Sequence, residues 1–305
     1  MYLRCLSVAL LLAGADSVLS TELRVCAEPD NLPFSHESRS GFENRIASLL
    51  ANELGADLVY SWQPQRRAFV RKTLGAGLCD VWMGVPADFE RVLTTRPYYR
   101  SSYVFIYGKR ALRSFEEPLL KELRIGVQLP GNDMAATPPG YALAARGAVQ
   151  NVVGFPVYGE QPAAQRIVEA VAKGELDAGV VWGAAGGFFA KARSLTVSKA
   201  TPPAELAGLP FEFAIAIGVR RDAAELRERL DAALARRHAE VERILDEYAV
   251  PRARWRIRAW PVDRAHPRRC AFVAQQALAG FAADSRENAR GGHASTLQPV
   301  NAPHL

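Results

Sequence analysis

Histidine side chains are the first groups to test for catalysis or metal binding. No two of the five histidines stand at the spacing of a metal site. The chain also lacks Gly-x-Ser-x-Gly, His-Glu-x-x-His and phosphate-loop patterns, and it has no Cys-x-x-Cys-His for covalent haem. The sequence therefore predicts a protein that is not an enzyme and that needs no cofactor and no metal. The histidines are His36, His238, His266, His293 and His304.

Residues 1–20 predict export. Arg4 precedes an apolar run over 5–15 that is too short to span a bilayer, and small residues follow at 18–20 or at 13–15. A cleavable signal peptide is the prediction, and a buried N-terminal helix is the alternative. No later segment is apolar for long enough to cross a membrane, so we expect an exported chain without a transmembrane segment.

The positive charge lies at the C-terminal end. Nine arginines stand against three acidic residues from 251 to 305, which accounts for the whole net charge of +6. Such a stripe can contact nucleic acid or acidic lipid, but an exported protein rarely meets nucleic acid. We therefore predict no nucleic-acid partner and a basic, partly disordered tail over 251–305 that faces solvent or a partner.

Strand and helix patterns alternate along the chain in an order that occurs twice. The first series has strands at 23–27, 56–62 and 79–83, with helices at 41–54 and 67–76 between them. The second has strands at 123–127, 152–157 and 178–182, with helices near 141–146 and at 162–173. Both series also end in similar segments, 77–84 and 174–183, so the sequence indicates an internal repeat.

Two βαβαβ series of similar length predict an α/β fold with two lobes, each a parallel sheet with helices on both faces. A single long doubly wound sheet is the alternative. Residues 211–219 alternate like a returning strand, which favours two lobes joined by a two-stranded hinge. The expected boundaries are 21–108 with 208–250 for lobe 1 and 109–207 for lobe 2. Ligands in such sheets bind beyond the carboxyl ends of the strands, so the facing loops define a cleft.

Several short segments, in order and at matching spacing, resemble one protein family. They include Leu-Pro-Phe-Ser at 32–35, Gly-Phe-Glu-Asn at 41–44, Pro-Gln-Arg-Arg at 64–67, Thr-Thr-Arg-Pro-Tyr-Tyr-Arg-Ser at 94–101 and Val-Val-Trp-Gly at 180–183. From 23 to 251 the chain resembles the quinoprotein-dehydrogenase-associated branch of the type II periplasmic solute-binding proteins. These are the J proteins of methanol-oxidation gene clusters.

The resemblance implies two Rossmann-like α/β lobes joined by a two-stranded hinge, and a periplasmic location. It also implies a gene beside a periplasmic dehydrogenase that depends on pyrroloquinoline quinone (PQQ), and a role in maturing or activating that enzyme. The expected partners are this alcohol dehydrogenase and its cytochrome c. The alternative function is that of an ABC-transporter receptor for a small organic solute.

Amino-acid-binding relatives suggest what the cleft can hold. They bind the ligand carboxylate with an arginine seven residues after the glycine that ends the third strand, and here Arg91 follows Gly84 at that distance. A solvated surface arginine is the alternative. Pro86 replaces a Thr or Ser and offers neither hydroxyl nor N–H, and Trp182 replaces the Asp that pairs with the ligand ammonium. A buried ammonium without a carboxylate is costly, so a zwitterionic amino acid is disfavoured.

The sequence leaves three possibilities for the cleft: it binds an organic acid, it binds a flat aromatic ligand, or it binds no ligand. The candidate cleft residues are Glu28, Phe34, Arg91, Gln128, Asn132, Tyr158 and Trp182.

The resemblance also predicts how the cysteines pair. In this fold Cys26 and Cys79 lie on neighbouring strands of the first lobe, and export brings them into an oxidising compartment. We expect a disulfide between them, with Cys270 left free in the tail. Two buried thiols side by side are the alternative.

Overall fold

The computed structural model describes residues 21–65, 68–109, 111–130, 137–157 and 161–253. The predicted signal peptide and the tail beyond residue 253 lie outside these ranges. The strands are β1 (Thr21–Ala27), β2 (Asp30–Asn31), β3 (Ser35–His36), β4 (Ala56–Trp62), β5 (Val81–Pro86), β6 (Leu93–Thr94), β7 (Tyr99–Tyr107), β8 (Ile125–Leu129), β9 (Val152–Pro156), β10 (Ala178–Trp182), β11 (Thr196–Lys199) and β12 (Glu212–Val219). The α-helices are α1 (Phe42–Leu54), α2 (Phe69–Lys72), α3 (Pro138–Ala145), α4 (Ala163–Lys173), α5 (Gly183–Lys191), α6 (Ala224–Arg236) and α7 (His238–Glu247).

The two repeats build half-sheets of the same strand order. In the first half, β1 lies between β4 and β5 and pairs with both in parallel. In the second half, β8 lies between β9 and β10 and again pairs with both in parallel. In each half, therefore, the first strand of the repeat is the central one of three. This confirms the predicted repeat.

Strand β7 joins the two half-sheets. Its residues 99–102 pair antiparallel with β12, which belongs to the first half. Its residues 103–107 pair antiparallel with β10 of the second half, and β11 pairs along the same stretch. The change of partners falls between Ser102 and Tyr103. The hydrogen-bonded path is thus continuous across the molecule, and the chain passes between the halves twice, in β7 and again between β11 and β12. The lobe boundaries themselves stay a prediction.

Amphipathic helices cover the half-sheets. Helix α1 buries Phe42, Ile46 and Leu50, four residues apart, in the core of the first half. Helix α4 does the same in the second half with Ile167 and Val171. Each such side chain contributes about 1.5–3 kcal/mol on burial, so these helix faces hold each half together.

The Cys26–Cys79 disulfide is confirmed. Both residues are buried, Cys26 within β1 and Cys79 two residues before its neighbour β5, and their Cα atoms are 5.5 Å apart. Parallel pairing of those two strands brings residues that are 53 positions apart in sequence to bonding distance.

The helix expected over 67–76 is wrong in its extent. Helix α2 has four residues, and a 3-10 turn over Leu74–Ala76 follows it. The helix ends at Thr73, whose backbone leaves the helical region and whose hydroxyl donates to the carbonyl of Phe69 at 2.7 Å. The third strand begins at Val81 and not at Cys79.

Candidate functional site

The candidate site lies where the parallel strands of the two halves end. Glu28 follows β1, Pro86 closes β5, Gln128 is near the end of β8 and Trp182 closes β10. In open α/β sheets this edge is where ligands bind, because the loops that follow the strands form a crevice there.

Glu28 and Phe34 stabilise the first half around this edge. The carboxylate of Glu28 accepts the backbone N–H of Gln65, and its backbone carbonyl accepts the Ser35 hydroxyl at 2.8 Å. The half-buried Phe34 ring packs at 5.4 Å from Phe42 and contacts the cores of both halves. Both predicted side chains therefore have structural contacts in addition to any ligand contact.

Arg91 and Pro86 differ in what they offer a ligand. Arg91 is exposed in the loop between β5 and β6, and no ion pair holds it among the described residues. Pro86 has no N–H to donate, and the next N–H, that of Ala87, donates to the carbonyl of Ala214 at 2.8 Å. Neither Pro86 nor Ala87 therefore has a backbone N–H available for a ligand. The loop that follows β5 offers the guanidinium of Arg91 instead.

Gln128 and Trp182 form a unit in the second half. The side-chain oxygen of Gln128 accepts the backbone N–H of Trp182 at 3.2 Å. The half-buried indole of Trp182 meets the rings of Tyr103 and Phe213 edge-on, at 5.6 and 5.7 Å. A side-chain hydrogen bond also links it to Tyr99 of β7. The end of β10 is therefore aromatic, and the position of Trp182 is fixed from three sides.

Asn132 and Tyr158, the other two predicted cleft residues, lie outside the described residues. Of the seven candidates, the structure brings Gln128 and Trp182 into direct contact with each other. The roles of all seven in binding stay a prediction.

Glu43 is a further group at this edge, and the sequence patterns do not predict it as a site residue. It lies in the first turn of α1, is 6% exposed, and burial raises the pKa of its carboxyl to about 8. Its carboxylate packs against the Cα of Gly84, where a Cβ would overlap with Oε1, and Gly84 has a φ of +74°. The local sequence gives no sign of this burial, because an acidic residue in the first turn of a helix is usually solvated.

A shallow depression of about 300 Å³ lies apart from the strand ends, where α1, α5 and α7 meet. The Arg45–Glu247 ion pair and the stacked rings of Phe188 and Tyr248, 5.6 Å apart, form part of its walls. None of the predicted cleft residues lines it. Its lining residues are Leu32, Ser40, Arg45, Phe188, Glu247 and Tyr248.

Within the described ranges, no three His, Cys, Asp or Glu side chains gather into a group that could hold a metal ion. Over the same ranges, no helix is long and apolar enough to span a membrane.

Comparison with known proteins gives close relatives, although no family model matches the chain. The chain is 34% identical to Protein MoxJ of Methylorubrum extorquens over 246 residues, which is 75% of this chain and 81% of the relative. It is 29% identical to Protein MoxJ of Paracoccus denitrificans over 261 residues, 80% of this chain and 94% of that one.

Two solved structures carry the same fold. The periplasmic binding protein XoxJ from Methylobacterium extorquens AM1 matches with a TM-score of 0.63 and 31% identity, over 76% of this chain and all of that one. MxaJ from Methlophaga aminisulfidivorans MPT matches with a TM-score of 0.66 and 25% identity over the same shares. The expected type II periplasmic-binding-protein fold is confirmed. From this fold and these identities, the chain belongs to the MoxJ branch of the periplasmic solute-binding proteins.

Proposed function

We propose that this chain is a periplasmic accessory protein that binds a PQQ-dependent methanol or alcohol dehydrogenase and assists its maturation or activation. It would act by binding, without catalysis of its own, after export by a cleavable signal peptide. Membership of the MoxJ branch supports the association with methanol oxidation. The cytochrome c of the same system is a second expected partner.

The observation that carries the proposal is the aromatic end of β10. Where amino-acid receptors of this fold hold an ammonium group, the chain has Trp182, packed by Tyr103 and Phe213 and fixed through its backbone by Gln128. A zwitterion would leave its ammonium against this indole without a carboxylate partner, which is costly when buried. Half-buried aromatic rings are, by contrast, common anchors of protein interfaces.

Arg91 favours a second candidate function, that of a transport receptor for a small, non-zwitterionic organic acid. Its guanidinium is exposed and has no ion-pair partner among the described residues, so it can bind a carboxylate in the bidentate manner. The same side chain can also bind an acidic residue of a protein partner. A binding experiment with both kinds of ligand therefore separates the two functions.

The test is to titrate the full-length mature protein with a purified periplasmic quinoprotein alcohol dehydrogenase and, separately, with a panel of small organic acids. The Arg91→Ala variant tests the cleft, and Arg229→Ala, an exposed arginine of α6, is the matched control. We expect a complex with the dehydrogenase that Arg91→Ala weakens about tenfold, since an ion pair at an interface contributes roughly 1.5 kcal/mol or more. Arg229→Ala should bind like the parent.

Micromolar binding of an organic acid that Arg91→Ala abolishes, with no dehydrogenase bound, would instead establish the transport receptor. If the complex with the dehydrogenase forms, the rate at which the dehydrogenase becomes active should be measured with and without this protein. A higher rate in its presence would distinguish assistance from binding alone.

A further inference from the structure

Glu43 is a buried acid without a charged partner. The residue is 6% exposed, its carboxylate packs against Gly84 of β5, and it makes no side-chain hydrogen bond or ion pair with the other described residues. A charged carboxylate in such a place is expensive, so the group keeps its proton instead. Burial raises the pKa of Glu43 to about 8, and it does so without help from any neighbouring charge.

Within the described ranges, the elements around Glu43 contribute three tyrosines, apolar groups and, against one tyrosine ring, an arginine. Tyr98 and Tyr99 of the β7 region are both buried, and a charge on Glu43 adds to burial in raising their pKa values. Burial raises the pKa of Tyr60 in β4, and a charge on Glu43 would add to this effect. The guanidinium carbon of Arg39 lies 5.4 Å from the centre of the Tyr60 ring. Strand β5 contributes the bare Cα of Gly84, with no side chain between it and the carboxyl.

These contacts place Glu43 next to the hinge. Tyr99 is the first residue of β7, the strand that passes from one half-sheet to the other, and it is linked by a side-chain hydrogen bond to Trp182. Phe42, the neighbour of Glu43 in α1, meets the Tyr99 ring edge-on at 5.9 Å. The buried Tyr98 hydroxyl faces the backbone of Gly84. Helix α1, the end of β5 and the hinge strand therefore meet around one carboxyl.

We propose that Glu43 is a proton-linked switch at the hinge. The neutral carboxyl keeps α1, the end of β5 and the start of β7 packed together, and loss of its proton loosens this packing and the contact of Tyr99 with Trp182. The device is independent of the proposed function, since it requires neither a dehydrogenase nor a solute.

The direction of the effect follows from proton linkage. A state in which Glu43 reaches water has the ordinary pKa of 4.5, whereas the packed state has a pKa of about 8. Between those values the opened state has released its proton and the packed state has kept it. The opened fraction therefore rises with pH by up to about tenfold per pH unit across this window, and it levels off above the window.

Hydrogen exchange of the full-length protein measures this opening. Protection factors of amides in 42–44 and 98–103, corrected for intrinsic exchange, should fall up to about tenfold between about pH 6 and pH 7. Glu43→Gln has nearly the same shape and no proton to lose, so its protection in these segments should not change with pH. Glu53→Gln is the matched control, because Glu53 is on the same helix but pairs with Arg236 at 2.5 Å.

The difference between Glu43→Gln and the parent removes the contribution of every other group whose protonation changes over the same pH range. A fall in protection that persists in Glu43→Gln overturns the proposal, and so does a parent protein with no fall. If Glu43→Gln does not fold, the infrared band of a protonated carboxyl in the parent at neutral pH decides. Its disappearance above about pH 8 supports the switch, and its absence at neutral pH contradicts it.

Discussion

The two repeats share a strand order, but different interactions stabilise their closing segments, residues 77–84 and 174–183. In the first, Asp80 pairs with Arg24 and Arg220, and a disulfide ties the same segment to β1. In the second, Asp177 accepts the backbone N–H of Arg124 at 2.9 Å, and the described residues of that half have no disulfide. The repeat thus sets the scaffold, while the strand ends decide its chemistry and its local stability.

The largest expected effect concerns the disulfide of the first half. Replacing Cys26 and Cys79 together by alanine removes a cross-link over 53 residues, which in the chain-entropy model is a loss of about 4 kcal/mol in the free energy of unfolding. Urea unfolding of the double variant, followed by tryptophan fluorescence, measures the loss. The parent protein under reducing conditions is the control and should lose a similar amount.

If the double variant and the reduced parent both unfold at the urea midpoint of the oxidised parent, the disulfide does not stabilise the first half. The difference in stability between the halves would then lie in packing alone. Hydrogen exchange should also show the loss mainly in β1, β4 and β5, because β8, β9 and β10 have their own core.

Much of this scaffold follows from sequence. The alternating strand and helix patterns predict the repeat, and the family resemblance predicts the disulfide. The sequence does not predict helix α5, because its segment Gly-Ala-Ala-Gly-Gly-Phe-Phe contains three glycines and has a low helix propensity. Tertiary contact overrides that propensity: Gly187 packs against the carbonyl of Ala249, where a Cβ would overlap.

The site was less predictable than the scaffold. The contact between Gln128 and Trp182 joins residues 54 positions apart, and no local pattern announces it. The burial of Glu43 likewise depends on how β5 and β7 pack over the start of α1. Periodicity predicts which face of a helix is buried, but not which polar group at its end is covered by a distant strand.

Asp80 and Asp177, in the last segments of the two repeats, should give effects of intermediate size on the free energy of unfolding. Asp80→Asn removes a carboxylate that accepts from Arg24 at 2.7 and 2.9 Å, so we expect a loss of about 2 kcal/mol at neutral pH, limited by the partial exposure of both arginines. Asp177→Asn loses part of one backbone hydrogen bond, and about 0.5–1 kcal/mol is expected. Thermal unfolding of both variants measures the difference.

The pH dependence of Asp80 sharpens this test. Burial tends to raise the pKa of Asp80, but the hydrogen bonds and charges of Arg24 and Arg220 outweigh it, and the net direction is down. A lowered carboxyl pKa adds stability above the unfolded value of 3.8, and this stability is lost as the pH falls through the folded value. The parent and Asp80→Asn should therefore converge in acid. A gap that stays constant down to acid pH would contradict the ionic explanation.

The smallest effect compares the tryptophans of the two closing segments, Trp82 and Trp182. The Trp82 indole N–H is buried without a hydrogen-bond partner among the described residues, whereas Trp182 is linked to Tyr99. Trp82→Phe removes an unsatisfied donor and keeps an aromatic ring against Phe69, so the free energy of unfolding should change by less than about 0.5 kcal/mol. Trp182→Phe leaves the buried Tyr99 hydroxyl without its partner, at a cost of about 1 kcal/mol.

Chemical denaturation of the two single variants gives this difference directly. The double variant Trp182→Phe with Tyr99→Phe is the control, since removing both partners should recover most of the loss. Recovery would show that the second half depends on a polar link across the hinge to keep its aromatic wall in place. Equal losses for Trp82→Phe and Trp182→Phe would show instead that both indoles act only by packing, and that the two strand ends do not differ in this respect.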